Sequence, residues 1–202
     1  MNASMNLPAP SRMGFLLAGG SSSRMGADKA FLEFQGQTLL ERAFAVLGRV
    51  CPGVAIVGDA ARFSRYGSVV EDLSSGCGPL AGIHAALASS SAEFNLMLAV
   101  DMPFVSEALL SYLFAVAGES GAVVTVPRTV EGFQPLCAVY RTEFANAADT
   151  ALRAGKYKVD AVFPGLSTRI IEEDELEKAG FSERNFFNLN TPEDRRAAEE
   201  TA

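Results

Sequence analysis

A segment near the amino terminus, LAGGSSSRMGADK from Leu17 to Lys29, combines glycines, serines and two cations. Gly19 and Gly20 let the backbone turn sharply and approach a ligand without obstruction by a Cβ atom. The serines that follow add hydroxyl groups, and successive backbone N–H groups can form an anion-binding nest. Arg24 and Lys29 bring positive charge into the same loop. The segment is therefore predicted to bind phosphate.

This loop differs in spacing from two familiar nucleotide-binding motifs. A Walker A loop reads GxxxxGK followed by Ser or Thr. Here Gly26 is followed by alanine in place of lysine, and Lys29 is followed by alanine in place of serine or threonine. A dinucleotide fingerprint reads GxGxxG directly after a strand. The nearest match, GCGPLAG over residues 76–82, is one residue too long and contains a proline. An NAD-dependent dehydrogenase is disfavoured but remains an alternative.

Polar side chains stand where apolar runs end. Asp72 ends SVVED, Asp101 ends FNLMLAVD, and Asn188 lies in FFNLN. In parallel sheets, ligands bind beyond the carboxyl ends of the strands, so these side chains are expected near the phosphate loop. Mg²⁺ takes one or two carboxylates together with phosphate oxygens. Asp101 is therefore a candidate Mg²⁺ ligand.

The elements that must position these residues alternate between strands and helices. Short apolar runs predict strands over 13–20, 54–58, 68–72, 94–101, 122–126, 136–140, 167–171 and 186–190. Helices are predicted to begin at Thr38, which has capping-box spacing with Glu41, at Pro79, and after the cap Ser106. Further helices are predicted over residues 142–154 and 174–178, and a last one from Thr191. The pattern predicts an α/β fold, a single Rossmann-like three-layer α/β/α domain with a mostly parallel sheet.

Composition limits the classes of protein. The 202 residues are 49% hydrophobic and 20% charged, as expected for one globular domain over residues 13–202. Residues 1–12 are predicted to be a flexible tail, and they lack the apolar core of a signal peptide. A net charge of −7 argues against non-specific nucleic-acid binding, and no apolar run reaches membrane-spanning length. Three scattered cysteines, without CxxC spacing, predict free thiols and a cytoplasmic location.

Four segments together resemble one family. LAGGSSSRMGADK is similar to the signature LAGG-x-S-x-RMG-x-x-K of the molybdenum cofactor guanylyltransferases, and GPLAG (78–82), VDMPF (100–104) and NLNTPED (188–194) continue the likeness. The resemblance implies a nucleotide-diphospho-sugar transferase-like fold. It also implies Mg²⁺-dependent transfer of GMP from GTP to the terminal phosphate of molybdenum-bound molybdopterin, with possible partner proteins that hand the cofactor over.

The resemblance also suggests a role for individual residues. The nucleotide-binding set comprises Leu17, Ala18, Gly19, Gly20, Lys29, Asp59, Asp72 and Asp101; the catalytic set comprises Arg24, Lys29 and Asp101, with Asp101 as metal ligand; the molybdopterin side comprises Asn188 and Asn190. Asp59 falls where relatives often have a nucleotide-contacting asparagine, so its role stays open. Asn190 has an alternative role as a cap of the last helix or as the first residue of an Asx-turn with Thr191 and Pro192.

Alternatives remain for the reaction itself. Gly19 and Gly20 favour GTP, because the similar molybdopterin cytidylyltransferases tend to read LAAG in place of LAGG. A cytidylyltransferase or another small NTP transferase is the first alternative. A nucleotide-binding regulatory module without turnover is the second, since cations and a carboxylate can also serve binding alone.

Overall fold

The computed structural model describes residues 11–19, 29–71 and 77–200. The strands are β1 (Arg12–Leu17), β2 (Glu33–Phe34), β3 (Gln37–Thr38), β4 (Gly53–Val57), β5 (Ser68–Val70), β6 (Phe94–Ala99), β7 (Val124–Thr129), β8 (Gly132–Phe133), β9 (Cys137–Tyr140) and β10 (Thr168–Ile171). The α-helices are α1 (Leu39–Val50), α2 (Ala60–Phe63), α3 (Pro79–Ala88), α4 (Glu107–Ser120), α5 (Phe144–Arg153), α6 (Glu173–Lys178) and α7 (Pro192–Glu200). Short 3-10 helices span Lys29–Phe31, Asp160–Val162 and Glu183–Phe186.

The central sheet has the strand order β10-β7-β9-β6-β1-β4-β5, with β8 paired to β7. Strand β1 lies between β4 and β6 and is parallel to both. Strand β9 runs antiparallel to β6 and to β7, and β8 runs antiparallel to β7. The prediction of an α/β fold with a mostly parallel sheet is therefore confirmed, with β9 as an antiparallel insertion.

Helices cover both faces of this sheet. Side chains of β1 alternate between two apolar clusters, with Leu16 in one and Phe15 and Leu17 in the other. Helices α1 and α4 pack on the first face, and α3 and α5 pack together on the second. Strand β6 is buried along its whole length, as expected for a strand covered on both sides. The predicted three layers are present.

The predicted helix starts agree with the structure. Thr38 and Glu41 form the capping box of α1, with the Glu41 N–H donating to Thr38 Oγ1 (3.2 Å) and the Thr38 N–H donating to Glu41 Oε2 (2.9 Å). Pro79 is the first residue of α3, and the Ser106 hydroxyl caps α4. A hairpin, β2–β3, was not predicted. Its two turn residues, Gln35 and Gly36, both have positive φ, which matches the twist of a tight two-residue hairpin.

The prediction of a strand over residues 186–190 is wrong. Residues Glu183–Phe186 form a 3-10 helix instead, and the following residues join no sheet. Asn185 accounts for the turn, because its Oδ1 accepts from the Ser182 N–H (3.0 Å). Phe186 is buried, so the apolar character that suggested a strand comes from one anchoring side chain and from Leu189.

The three cysteines are free thiols, as predicted. Burial raises the pKa of Cys51 to about 12, with Arg12 partly opposing the shift, and burial raises the pKa of Cys137 to about 12. Cys77 is partly exposed at the start of the GPLAG segment. Among the described residues, no helix is long and apolar enough to cross a membrane.

Native-state alkylation should therefore discriminate among the thiols. Because the thiolate is the nucleophile, a raised pKa and burial both slow the reaction of Cys51 and Cys137. Iodoacetamide at neutral to mildly alkaline pH is expected to modify Cys77 first, as read by peptide mass spectrometry. All three should react at similar rates in guanidinium chloride. Equal native rates would contradict the burial of Cys51, at the end of α1, and of Cys137, in β9.

Candidate active site

Lys29 is the first residue of the first 3-10 helix. Ala30, the next residue, is fully buried, and the Leu32 N–H donates to the Lys29 carbonyl (3.1 Å). The hairpin that follows carries Phe34, which is also buried. Two buried anchors within five residues therefore fix the backbone from which the lysine extends.

Asp101 lies just beyond the carboxyl end of β6, next to the end of β1. The Val100 N–H donates to the Leu17 carbonyl (3.2 Å), which continues the parallel pairing past the strand. Lys29 Nζ lies 3.4 Å from Asp101 Oδ2, and the two side chains are only 22% and 19% exposed. The structure thus brings together a cation and a carboxylate that are 72 residues apart in the sequence.

Asn190 is the third member of this cluster. Lys29 Nζ donates to Asn190 Oδ1 at 2.7 Å. The capping alternative for Asn190 does not hold, because Thr191 caps α7: the Asp194 N–H donates to Thr191 Oγ1 (3.1 Å). Within the described residues, the ammonium group thus makes a short bond to Asn190 and a longer one to Asp101, and has a third N–H available.

Aromatic side chains hold the three segments together behind the charged cluster. Phe34, from the hairpin after Lys29, packs edge-on against Phe104, from the loop after Asp101, with ring centroids 5.6 Å apart. The Phe104 carbonyl accepts from Asn185 Nδ2 (3.1 Å), and the Phe104 ring contacts that of Phe187. The Leu189 N–H donates to the Asp101 carbonyl (2.8 Å). The polar cluster is therefore anchored from beneath by packing and backbone bonds.

Leu17, Ala18 and Gly19 lie at the carboxyl end of β1, where the phosphate loop was predicted. Leu17 and Ala18 are buried, and the Ala18 N–H donates to the Val57 carbonyl of β4 (3.0 Å). Gly82, in the GPLAG segment, is a position where an added Cβ would lie 3.0 Å from a Leu17 methyl group. The glycine therefore permits close packing of α3 against the end of β1.

Other predicted residues have local partners. The Asp59 carboxylate caps α2 by accepting from the Ala61 N–H (2.8 Å), and Asn188 Nδ2 donates to the nearby Phe186 carbonyl (3.2 Å). Among the described residues, neither side chain bonds to the cluster of Lys29, Asp101 and Asn190. The roles of Asp59 in nucleotide binding and of Asn188 on the molybdopterin side remain predictions. Gly20, Arg24 and Asp72 lie outside the described residues, and their roles remain predictions.

The donor set around Asp101 fits a Mg²⁺ ion that is shared with a ligand. Within the described part of the chain, Asp101 Oδ1 has no hydrogen-bond partner. No group of three or more His, Cys, Asp or Glu side chains among these residues could hold a metal ion by itself. A single carboxylate matches the preference of Mg²⁺ for one or two protein ligands completed by water and phosphate oxygens.

Comparison with known proteins places this geometry in a family. Residues 14–167 match the family model described as MobA-like NTP transferase domain. The chain is 40% identical over 183 residues to a Pelotomaculum thermopropionicum protein named "Probable molybdenum cofactor guanylyltransferase", covering 90% of this chain and 88% of that one. The chain belongs to the MobA-like NTP transferase family.

Solved structures agree with this assignment. Molybdopterin-guanine dinucleotide biosynthesis protein A from Archaeoglobus fulgidus is similar with a TM-score of 0.82 and 29% identity, over 94% of this chain and 97% of that one. 2-C-methyl-D-erythritol 4-phosphate cytidylyltransferase from Thermus thermophilus is similar with a TM-score of 0.67 and 21% identity, over 93% and 96% of the two chains. The second likeness concerns the fold alone. The MobA-like chain described here is a nucleotidyltransferase with the expected mostly parallel sheet.

Sequence reasoning missed Asp194. Asp194 Oδ2 accepts from the N–H groups of Asn190 and Thr191, both at 2.8 Å. The signal was present, because Thr191 and Asp194 have the spacing of a capping box, a serine or threonine followed three residues later by an acid. The packing of Phe34 against Phe104 was also missed, since nothing in either segment identifies a partner about 70 residues away.

Chemical labelling should report the bond between Lys29 and Asn190. Asn190→Ala removes the acceptor at 2.7 Å, so a brief acetic anhydride pulse is expected to acetylate Lys29 about threefold faster. Asn188→Ala is the matched control, because among the described residues the Asn188 side chain bonds to the Phe186 carbonyl of its own segment and not to Lys29. Peptide mass spectrometry gives the rates, with Lys178 on α6 as internal reference. Equal Lys29 rates in the two variants would contradict the geometry.

Proposed function

We propose that this chain transfers GMP from GTP to the terminal phosphate of molybdenum-bound molybdopterin, with release of pyrophosphate. The observation that carries the proposal is the cluster of Lys29, Asp101 and Asn190 at the carboxyl edge of the sheet. Membership of the MobA-like family and likeness to a guanylyltransferase over nearly the whole chain support it.

The reaction brings together two anions, so cations must offset their repulsion. The acceptor phosphate attacks the α-phosphorus of the nucleotide while negative charge accumulates on the departing pyrophosphate. The 3.4 Å separation from Asp101 is long for a charge-assisted bond. Lys29 can therefore exchange this contact for a phosphate oxygen, while the shorter bond to Asn190 keeps the ammonium in place. Arg24 is proposed as a second phosphate-binding cation.

Asp101 is proposed as the carboxylate that holds Mg²⁺ together with the nucleotide. When bound, the ion would withdraw electrons from the α-phosphate and make it easier to attack. The fold fixes the position of this carboxylate, because the backbone around Asp101 is held on two sides. The Val100 N–H donates to the Leu17 carbonyl at the end of β1, and the Asp101 carbonyl accepts from the Leu189 N–H of the carboxyl-terminal segment. A nucleotide anchored there would lie between the end of β1 and the carboxyl-terminal segment that carries Leu189.

The two substrates are proposed to lie on opposite sides of this cluster. The nucleotide side is formed by Leu17, Ala18, Gly19, Gly20, Lys29, Asp59, Asp72 and Asp101, and the molybdopterin side by Asn188 and Asn190. Asn190 already touches the cation that faces the nucleotide, so the two sides meet at Lys29. The proposal includes a cytoplasmic location, supported by three free thiols, and delivery of molybdopterin by a handover protein.

Product analysis with the full chain tests the proposal. The protein is incubated with each NTP, Mg²⁺ and molybdate-loaded molybdopterin, and products are separated by chromatography and identified by mass spectrometry. A guanine dinucleotide product and pyrophosphate are expected with GTP, and neither in the absence of Mg²⁺. Use of CTP in place of GTP would overturn the base assignment. Binding of GTP without pyrophosphate release would favour the regulatory-module alternative.

Substitution of Asp101 should separate chemistry from folding. Asp101→Asn keeps the shape of the side chain but removes its charge, and kcat is expected to fall by about 10²–10³, as when a transition-state charge contact is lost. The Mg²⁺ concentration for half-maximal rate should rise as well. Asp174→Asn is the matched control, because it also breaks an aspartate–lysine pair, with exposed Lys178 on α6. Normal kcat in Asp101→Asn would remove the proposed metal ligand.

A further inference from the structure

We infer that Asp194, on the last helix, is a positioning residue for Lys29 and acts through Asn190. Its carboxylate does not touch the cation. Asp194 Oδ2 accepts from the backbone N–H groups of Asn190 and Thr191, and the Asn190 side chain then accepts from Lys29 Nζ. One aspartate thereby determines where the acceptor oxygen for the ammonium stands.

The lengths of these bonds support a rigid link. Both bonds to Asp194 Oδ2 are 2.8 Å, and the bond from Lys29 to Asn190 Oδ1 is 2.7 Å. All three include a charged partner, which makes such bonds shorter and stronger than neutral ones. Two backbone N–H groups converging on one oxygen fix the peptide planes on both sides of the Asn190 Cα atom, and hence the direction of its side chain.

The same segment is held at a second point. The Leu189 N–H donates to the carbonyl of Asp101 at 2.8 Å. The peptide group between residues 188 and 189 is therefore tied to the loop after β6, and the two peptide groups that flank Asn190 are tied to the first turn of α7. Loss of the Asp194 tie would leave the Asp101 tie intact, so Asn190 would turn about its backbone without unfolding the segment.

An ordinary capping role predicts a different behaviour. As a cap, Asp194 would stabilise α7 together with Thr191, whose Oγ1 accepts from the Asp194 N–H. Loss of either partner would then have similar effects on the helix. As a positioning residue, Asp194 affects Lys29 only while Asn190 retains its side chain. The two roles are separated by comparing single and double variants.

The first measurement does not depend on a nucleotide. Asp194→Ala is expected to raise the acetylation rate of Lys29 about threefold, as Asn190→Ala does, since both leave the ammonium without its short bond. Asp194→Asn, which keeps an oxygen acceptor, should restore a rate within about twofold of the parent chain. Glu193→Ala is the matched control in the same helical turn; its carboxylate pairs with Arg196.

The second measurement rests on the proposed function. Isothermal titration calorimetry with GTP and Mg²⁺ is expected to give a Kd about three- to tenfold higher for Asp194→Ala, and an unchanged Kd for Glu193→Ala. The double variant Asn190→Ala/Asp194→Ala should bind GTP no more weakly than Asn190→Ala alone, because the two residues act in series.

Three outcomes would overturn the inference. They are additive effects of the two substitutions, an unchanged Lys29 acetylation rate in Asp194→Ala, and equal effects of Thr191→Ala and Asp194→Ala on Lys29. If the parent chain bound no GTP, the proposed function would fail, while the acetylation rates would still decide the role of Asp194. Circular dichroism of each variant identifies any loss of the helix itself.

Discussion

A carboxylate and an ammonium group, each about four-fifths buried, can coexist at the edge of a sheet only if their charges offset each other. Lys29 and Asp101 satisfy this condition at 3.4 Å, and Asn190 adds a polar partner. An isolated charge in such a position would be costly, because the protein cannot replace the water that it has lost. The hairpin after Lys29, the loop after β6 and the segment before α7 must therefore all reach the same point.

Several features of the fold and site follow directly from the sequence. Continuous apolar runs such as Phe94–Ala99 predict buried strands, and the capping box of Thr38 and Glu41 predicts the start of α1. The rule that ligands collect at the carboxyl ends of parallel strands then places Asp101 near the loop that contains Lys29. These inferences succeed because each depends on local periodicity or on a general property of parallel sheets.

The remaining features depend on contacts that no local pattern specifies. The segment 186–190 has the apolar content of a short strand, yet its two apolar anchors are buried without joining a sheet, and Asn185 forms a turn before them. Asn188 and Asn190 look equivalent in the sequence. The position of Lys29, 161 residues away from Asn190, distinguishes the residue that binds the cation from Asn188, whose side chain bonds to the Phe186 carbonyl.

The bond between Lys29 and Asn190 also has a consequence for biosynthesis. The last strand of the described sheet, β10, ends at Ile171, but Asn190 and the first turn of α7 come later. A nascent chain thus contains every strand of the described sheet before Asn190, the closer of the two partners of Lys29, has been made. Completion of the cation site is therefore among the last events of synthesis, so that fragments released early retain the sheet's sequence without the finished cluster.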